Sequence, residues 1–357
     1  VPDHHLRPSS GPRATASSSD QARAEEWFLD HGLTYFVPEL RQAVREELRV
    51  RRTAPVLAAV LVLALGAGVA IAWATGQVSV APATLVSLAL LGGAAYAVRR
   101  LHVWPILRWA LARTFGSLFR LLPMTTRALP LLLLAITFLF VNTEVWQVAS
   151  GLPIGRLWLV VVIFLVLGVA FLLVRLPEEV DKADDDVDDD LLLEVCAGTP
   201  VAGACRELVA EAGGDPARDP VRFAEVTGYE RWNLVLVLVV IQGVQVLLLT
   251  VSVFAFLLLF GSLTMTSHVM DSWIEAEVSG LTPQLVKVSL FLAAFSGLYL
   301  TVSTVTDETY RDQFFGDVMA ELRRAVGVRA VYLALRQAEP AGAVTAGGEP
   351  APPAPAG

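Results

Sequence analysis

The chain has 357 residues, of which 55% are hydrophobic and 17% charged, with a formal net charge of −8 and a mean hydropathy of +0.58. A soluble domain carries about 25% charged residues, and the deficit here falls in long runs with almost no charge, which excludes an ordinary soluble globule and points to a membrane protein. The runs are continuously apolar rather than alternating, so they read as helices that satisfy their own backbone hydrogen bonds in lipid.

Residues 1–22 are rich in Ser, Pro, Ala and Arg without an apolar period, and read as a disordered tail. Residues 23–53 set Trp27, Phe28, Tyr35, Phe36 and Leu40 among many charges. They read as amphipathic cytoplasmic helices divided at Pro38, since Pro38-Glu39 suits a helix start.

Six spans follow, at Ala54–Ala74, Val78–Val98, Ala128–Val148, Leu157–Val174, Asn233–Gly261 and Leu285–Val305. About 20 apolar residues cross a bilayer core of about 30 Å. The fifth run, at 1.5 Å per residue, is roughly 43 Å long and must tilt or protrude. The fold class is therefore all-α, a polytopic membrane protein with about six transmembrane helices. Spans one to four fill residues 54–174, and spans five and six residues 233–305.

The segment 101–122 is apolar but holds Arg108, Arg113 and Arg120 with Trp104 and Trp109. Three Arg disfavour a seventh span, and a basic helix with Trp fits the membrane interface better. Residues 175–232 read as an acidic cytoplasmic loop with a short helix from about Val201 to Ala212 ended by Gly213-Gly214, 306–337 as a charged cytoplasmic helical region, and 338–357 as a disordered Ala/Pro/Gly tail. With six spans, Arg45, Arg49, Arg51, Arg52, Arg99, Arg100, Arg108, Arg113, Arg120, Arg127, Arg175, Arg231, Arg311, Arg323 and Arg324 share one side. Arg156 and Lys287 are left on the other. The rule that Lys and Arg stay inside then puts both termini in the cytoplasm of a bacterial plasma membrane.

The run from Asp184 to Asp190 offers carboxylates to a hard cation, but it lacks the ligand order of an EF-hand and reads as a solvated linker. His268, Asp271 and Glu275 would share a helix face, as a metal or proton site or as an exposed outer loop. Glu144 and Lys287 near two outer span ends could form an ion pair, or reach the interface separately. Gln242 and Gln245 lie inside span five, and Ser289, Ser296 and Ser303 recur every seven residues on span six. Such groups either bond neighbouring helices or line a path. Ala64, Gly68 and Ala72, and likewise Ala89, Gly93 and Ala97, are small-residue rows for close helix approach. Cys196 and Cys205 fall in the cytoplasmic loop and read as reduced thiols.

No span centre carries an ionisable side chain, and no phosphate loop, nucleophile elbow, haem or redox motif is present. The sequence thus gives no catalytic, cofactor-binding or metal-binding residue and no nucleic-acid interface. The stretches "WFLDHGLTYFVPELR", "TRALPLLLLAITFLFVNTEVWQVA" and "FLAAFSGLYLTVSTVTDETYRDQFF" resemble those of uncharacterised multi-pass membrane proteins of actinobacteria. The resemblance implies a family and no mechanism. The expected function is non-enzymatic binding or scaffolding: the bilayer is one partner and a protein at the cytoplasmic segments another. The alternative is a transporter or channel with its path near Gln242, Gln245 and the Ser289/Ser296/Ser303 stripe.

Overall fold

The computed structural model describes residues 12–78, 80–185, 187–213, 215, 219–266, 269, 273, 282–306 and 308–338. Every regular element among them is helical. The described residues divide into two compact units, one within 30–180 and 228–319, the other within 12–29, 181–227 and 320–338.

The larger unit holds the apolar helices. After helix α1 (Pro12–Asp30), Gly32 turns the chain at φ +70° into a 3-10 helix at Thr34–Phe36, followed by α2 (Pro38–Glu47). A Cβ at Gly32 would stand 3.2 Å from both Ile106 Cα and Trp109 Cβ, so space and backbone both demand glycine. α3 (Val50–Thr75) and α4 (Val80–Arg100) form an antiparallel hairpin. Gly68 lets the helices meet: a Cβ there would lie 2.8 Å from the Ala81 carbonyl oxygen. On α4 the contact glycine is Gly92, against Val60, whereas Gly93 faces open space. The row through Ala89, Gly93 and Ala97 is thus one residue out of register. In a helix this rich in Ala and Gly, a 100° rotation leaves the small-residue spacing unchanged.

α5 (Val103–Phe140) starts at His102, which adopts a left-handed φ of 52°. The helix expected over 101–122 is present, and it runs without a break into span three. Its 38 residues extend about 57 Å, well beyond a hydrocarbon core of about 30 Å. The buried face of its first turns, Ile106 and Ala110, packs on Tyr35, Val44, Val237 and Ile241, so protein covers this part of the helix.

The continuous span expected over Ala128–Val148 is broken. α5 ends at Phe140, and α6 (Thr143–Gly151) leaves at a bend of 75°. Asn142 causes the break: its Oδ1 accepts the N–H groups of Glu144 (2.8 Å) and Val145 (3.2 Å) and caps α6. The buried Trp146 indole then donates to the Phe140 carbonyl at 2.6 Å, satisfying one of the last carbonyls of α5. α7 (Ile154–Asp185), α10 (Gly228–Thr264) and α11 (Pro283–Thr306) complete the apolar set. Thr282 caps α11 by accepting from Leu285 N–H at 3.0 Å, with Pro283 at the first position. Five described helices are long and apolar enough to cross a membrane, and a sixth is added if the bent pair Leu132–Phe140 and Thr143–Gly151 is one span.

The second unit is built around residues 320–338 of the last helix, α12 (Glu308–Ala338). Between Leu322 and Leu335 its side chains are buried almost all round, including Val326, Val328, Ala330, Val331 and Tyr332, as befits a core helix. α8 (Asp189–Cys196), α9 (Ala202–Ala212) and a 3-10 turn at Pro220–Phe223 belong to the same unit. Gly327 admits α8, since a Cβ would fall 2.5 Å from Val195 Cγ2. The buried Phe28 ring stands edge-on to Tyr332 at 5.5 Å, and the Tyr332 hydroxyl donates to Glu25 Oε1 at 2.5 Å. Arg329 donates to the carbonyls of Phe223 (2.5 Å) and Glu225 (2.9 Å).

Two expectations from composition change here. Residues 12–22, expected to be disordered, belong to α1, and the expected loop over 175–232 carries the end of α7 and α8 besides the short helix expected from about Val201 to Ala212, which is α9. The aspartate run is not merely a solvated linker. Asp184 is buried and accepts Val226 N–H at 2.9 Å, and Asp188 caps α8 by accepting Leu191 N–H at 2.8 Å.

Candidate functional site

The polar residues singled out on spans five and six are packed inside the protein. Gln242, Gln245, Ser289, Ser296 and Ser303 are all buried. Gly261 of α10 lies against Leu285, and Gly297 of α11 lies against Thr250. This antiparallel register sets Gln242 and Gln245 level with the Thr301–Thr304 end of α11. Gln242 is 19 residues, about 28 Å, from Gly261. Both amides stand near the middle of α10.

These side chains do not form a connected network. Ser296 donates to its own helix at Leu292 O (2.7 Å), while Gln242 Nε2, Gln245 Oε1 and Ser289 Oγ have no hydrogen-bond partner. The stripe is held by packing: Val246, Val253 and Leu257 of α10 share a core with Leu285, Val288, Leu292, Ala293 and Leu300 of α11.

Glu144 and Lys287 are not paired with each other. The Lys287 ammonium donates to the carbonyls of Ser150 (3.0 Å) and Leu152 (2.8 Å), at the C-terminus of α6. A cation there complements the helix dipole and satisfies carbonyls that the helix leaves open. Glu144 is exposed in the first turn of α6, near the opposite end of that dipole. His268, Asp271 and Glu275 lie outside the described residues. Among the described residues no group of three or more His, Cys, Asp or Glu side chains could hold a metal ion.

A cavity of about 320 Å³ opens between α7, α10 and α11. Gly168, Gly243, Ala293, Ala294 and Gly297 leave the space, and Phe164, Leu172 and Phe254 help to wall it. Thr250 and Thr301 are its only polar lining residues, and the Thr301 hydroxyl is already engaged with Gly297 O at 2.8 Å. Neither glutamine and none of the three serines lines it.

Sequence reasoning missed the tightest polar node. Asn233 is fully buried; its Oδ1 accepts Tyr35 N–H at 2.8 Å and its Nδ2 donates to Gly32 O at 3.1 Å. One turn away, buried Glu230 pairs with Arg41 at 2.5 Å. The Tyr35 hydroxyl donates to Leu101 O at 2.6 Å, and burial pushes its pKa up to about 12. The available signal was the Glu-Arg-Trp-Asn polar start of an otherwise apolar run. In the second unit, Cys196 and Cys205 are both free and buried, and the thiol of Cys205 reaches Leu192 O at 3.8 Å. The hydrogen bond with Cys205, together with burial, pushes the Cys196 thiol up.

No family model, curated protein or solved structure matches this chain.

Proposed function

We propose that this polytopic membrane protein acts by binding rather than catalysis or transport. Its apolar helices serve as an anchor, and the polar helical unit around α12 engages a protein partner. The observation that carries this reading is the separation of polar groups from open space. Gln242, Gln245, Ser289, Ser296 and Ser303 are packed away, whereas the cavity beside them is lined by apolar residues apart from Thr250 and Thr301. A solute path needs polar groups facing water at depth. The resemblance to actinobacterial multi-pass proteins and the one-sided arginines support a plasma-membrane location with both termini inside.

Thiol accessibility tests both parts. In a Cys196→Ser/Cys205→Ser background, a membrane-impermeant maleimide added to intact cells should label Gln77→Cys and Gln147→Cys. It should label Glu207→Cys only after lysis. Gln245→Cys should stay unlabelled in the folded protein from either side. Labelling of Gln245→Cys would favour the transporter, and labelling of Glu207→Cys in intact cells would reverse the orientation.

A further inference from the structure

We propose that the cavity between α7, α10 and α11 is a binding site for a single linear hydrocarbon chain of a membrane lipid. It lies among three helices apolar enough to span a membrane, so the medium that reaches it is hydrocarbon. Its rim residues Leu165, Leu247 and Val251 are 57%, 59% and 54% exposed, which puts the mouth on the lipid-facing side of the bundle. Its depth is protein interior: Ala293 is buried at 1% exposure.

Water is a poor occupant. A buried water needs two to four polar partners, and Thr250 and Thr301 are the only polar lining residues, one of them already engaged. Side chains do not fill the space either. Phe164 closes on Phe291 and Phe295, with ring centroids at 6.3 and 6.2 Å, and Gly168 faces Thr301. A Cβ added to Gly243, which lines the cavity, would meet nothing within 4 Å. An apolar cavity of about 150 Å³ already takes up benzene in a soluble protein. The cavity here is about 320 Å³. At roughly 30 Å³ for a water-sized group, it holds on the order of ten methylenes. A chain entering from the side keeps its headgroup at the interface and costs no polar desolvation. This occupancy is independent of any scaffolding role.

The test uses the full chain in nanodiscs with two photoreactive probes, a phospholipid with a diazirine in one acyl chain and a prenyl phosphate with a diazirine in its tail. Crosslinks are mapped by mass spectrometry. Labelling at Ala293 or Ala294, inside the cavity, is expected with at least one probe, and the probe that labels identifies the lipid source. Gly243→Phe should cut labelling at these two positions roughly tenfold or more, about 1.4 kcal/mol for each factor of ten. It should leave labelling at the outward Leu259 unchanged, and Leu259→Phe should leave the cavity signal intact. Val169→Phe fills the same space from α7 and serves if Gly243→Phe fails to fold. Labelling confined to outward residues with both probes would overturn the proposal. So would an undiminished cavity signal in a folded filling variant.

Discussion

Replacing Asn233 by Leu tests the node that ties the segment after α1 to the long helix α10. The amide is fully buried and holds two backbone groups, Tyr35 N–H at 2.8 Å and Gly32 C=O at 3.1 Å. Leucine is close in volume, so the main loss is hydrogen bonding. Each buried group left without a partner costs about 1–3 kcal/mol, hence about 2–6 kcal/mol for the pair. The greater apolar character of leucine returns about 1–2 kcal/mol. The net cost of about 1–4 kcal/mol corresponds to a roughly fivefold to several-hundredfold rise in local opening. Hydrogen exchange of the Tyr35 amide, followed by mass spectrometry on a peptide covering residues 30–37, reads this directly. Trp232→Leu, at an exposed neighbour, is the control and should leave the amide unchanged. Exchange in Asn233→Leu within about twofold of the native chain, the spread that a few tenths of a kcal/mol produces, would refute the reasoning. It would mean that the 3-10 segment is held by apolar packing alone.

Lys287→Met should lower stability in detergent by about 1.5–3 kcal/mol, the value of hydrogen bonds to a charged donor, whereas Glu144→Gln should be nearly neutral; comparable losses in both would restore the ion pair. Gly68→Val should force α3 off α4 and cost about 1–3 kcal/mol in thermal unfolding, while Gly93→Val, which faces open space, should not. Tyr35 ionises at about 12 in the folded chain against an ordinary 10, so the folded state holds its proton more tightly. Its contribution to stability should be complete below about pH 10 and disappear as pH rises through about 12. Burial and the hydrogen bond to Glu25 push Tyr332 up as well, so a tyrosinate absorbance titration should show two late-ionising tyrosines, of which Tyr35→Phe removes one, and denaturation of the two proteins should converge at the alkaline end of that window.

By itself the sequence determined the all-α class and the long apolar helices, because uninterrupted apolar runs of this length admit no other arrangement of their backbone hydrogen bonds in lipid. It also determined the start of α11, since Thr282-Pro283 is a local cap. The bend at Asn142 was equally local, in Asn-Thr-Glu ahead of a short helix, but the apolar content on both sides hid it. Tertiary structure alone decided which partner each polar group finds. Lys287 meets carbonyls of α6 rather than Glu144, because only the bend brings that helix end within reach. Gln242 and Gln245 look deeply embedded in a run of apolar residues. The register of α10 against α11 sets them beside the Thr301–Thr304 end of α11, although they stand near the middle of the longer α10. Residues 12–29, 181–227 and 320–338 are separated along the chain by the apolar helices, and no local pattern joins them. They form one unit because the buried face of α12 between Leu322 and Leu335 runs almost all the way round the helix, so that it must be covered by segments from elsewhere in the chain.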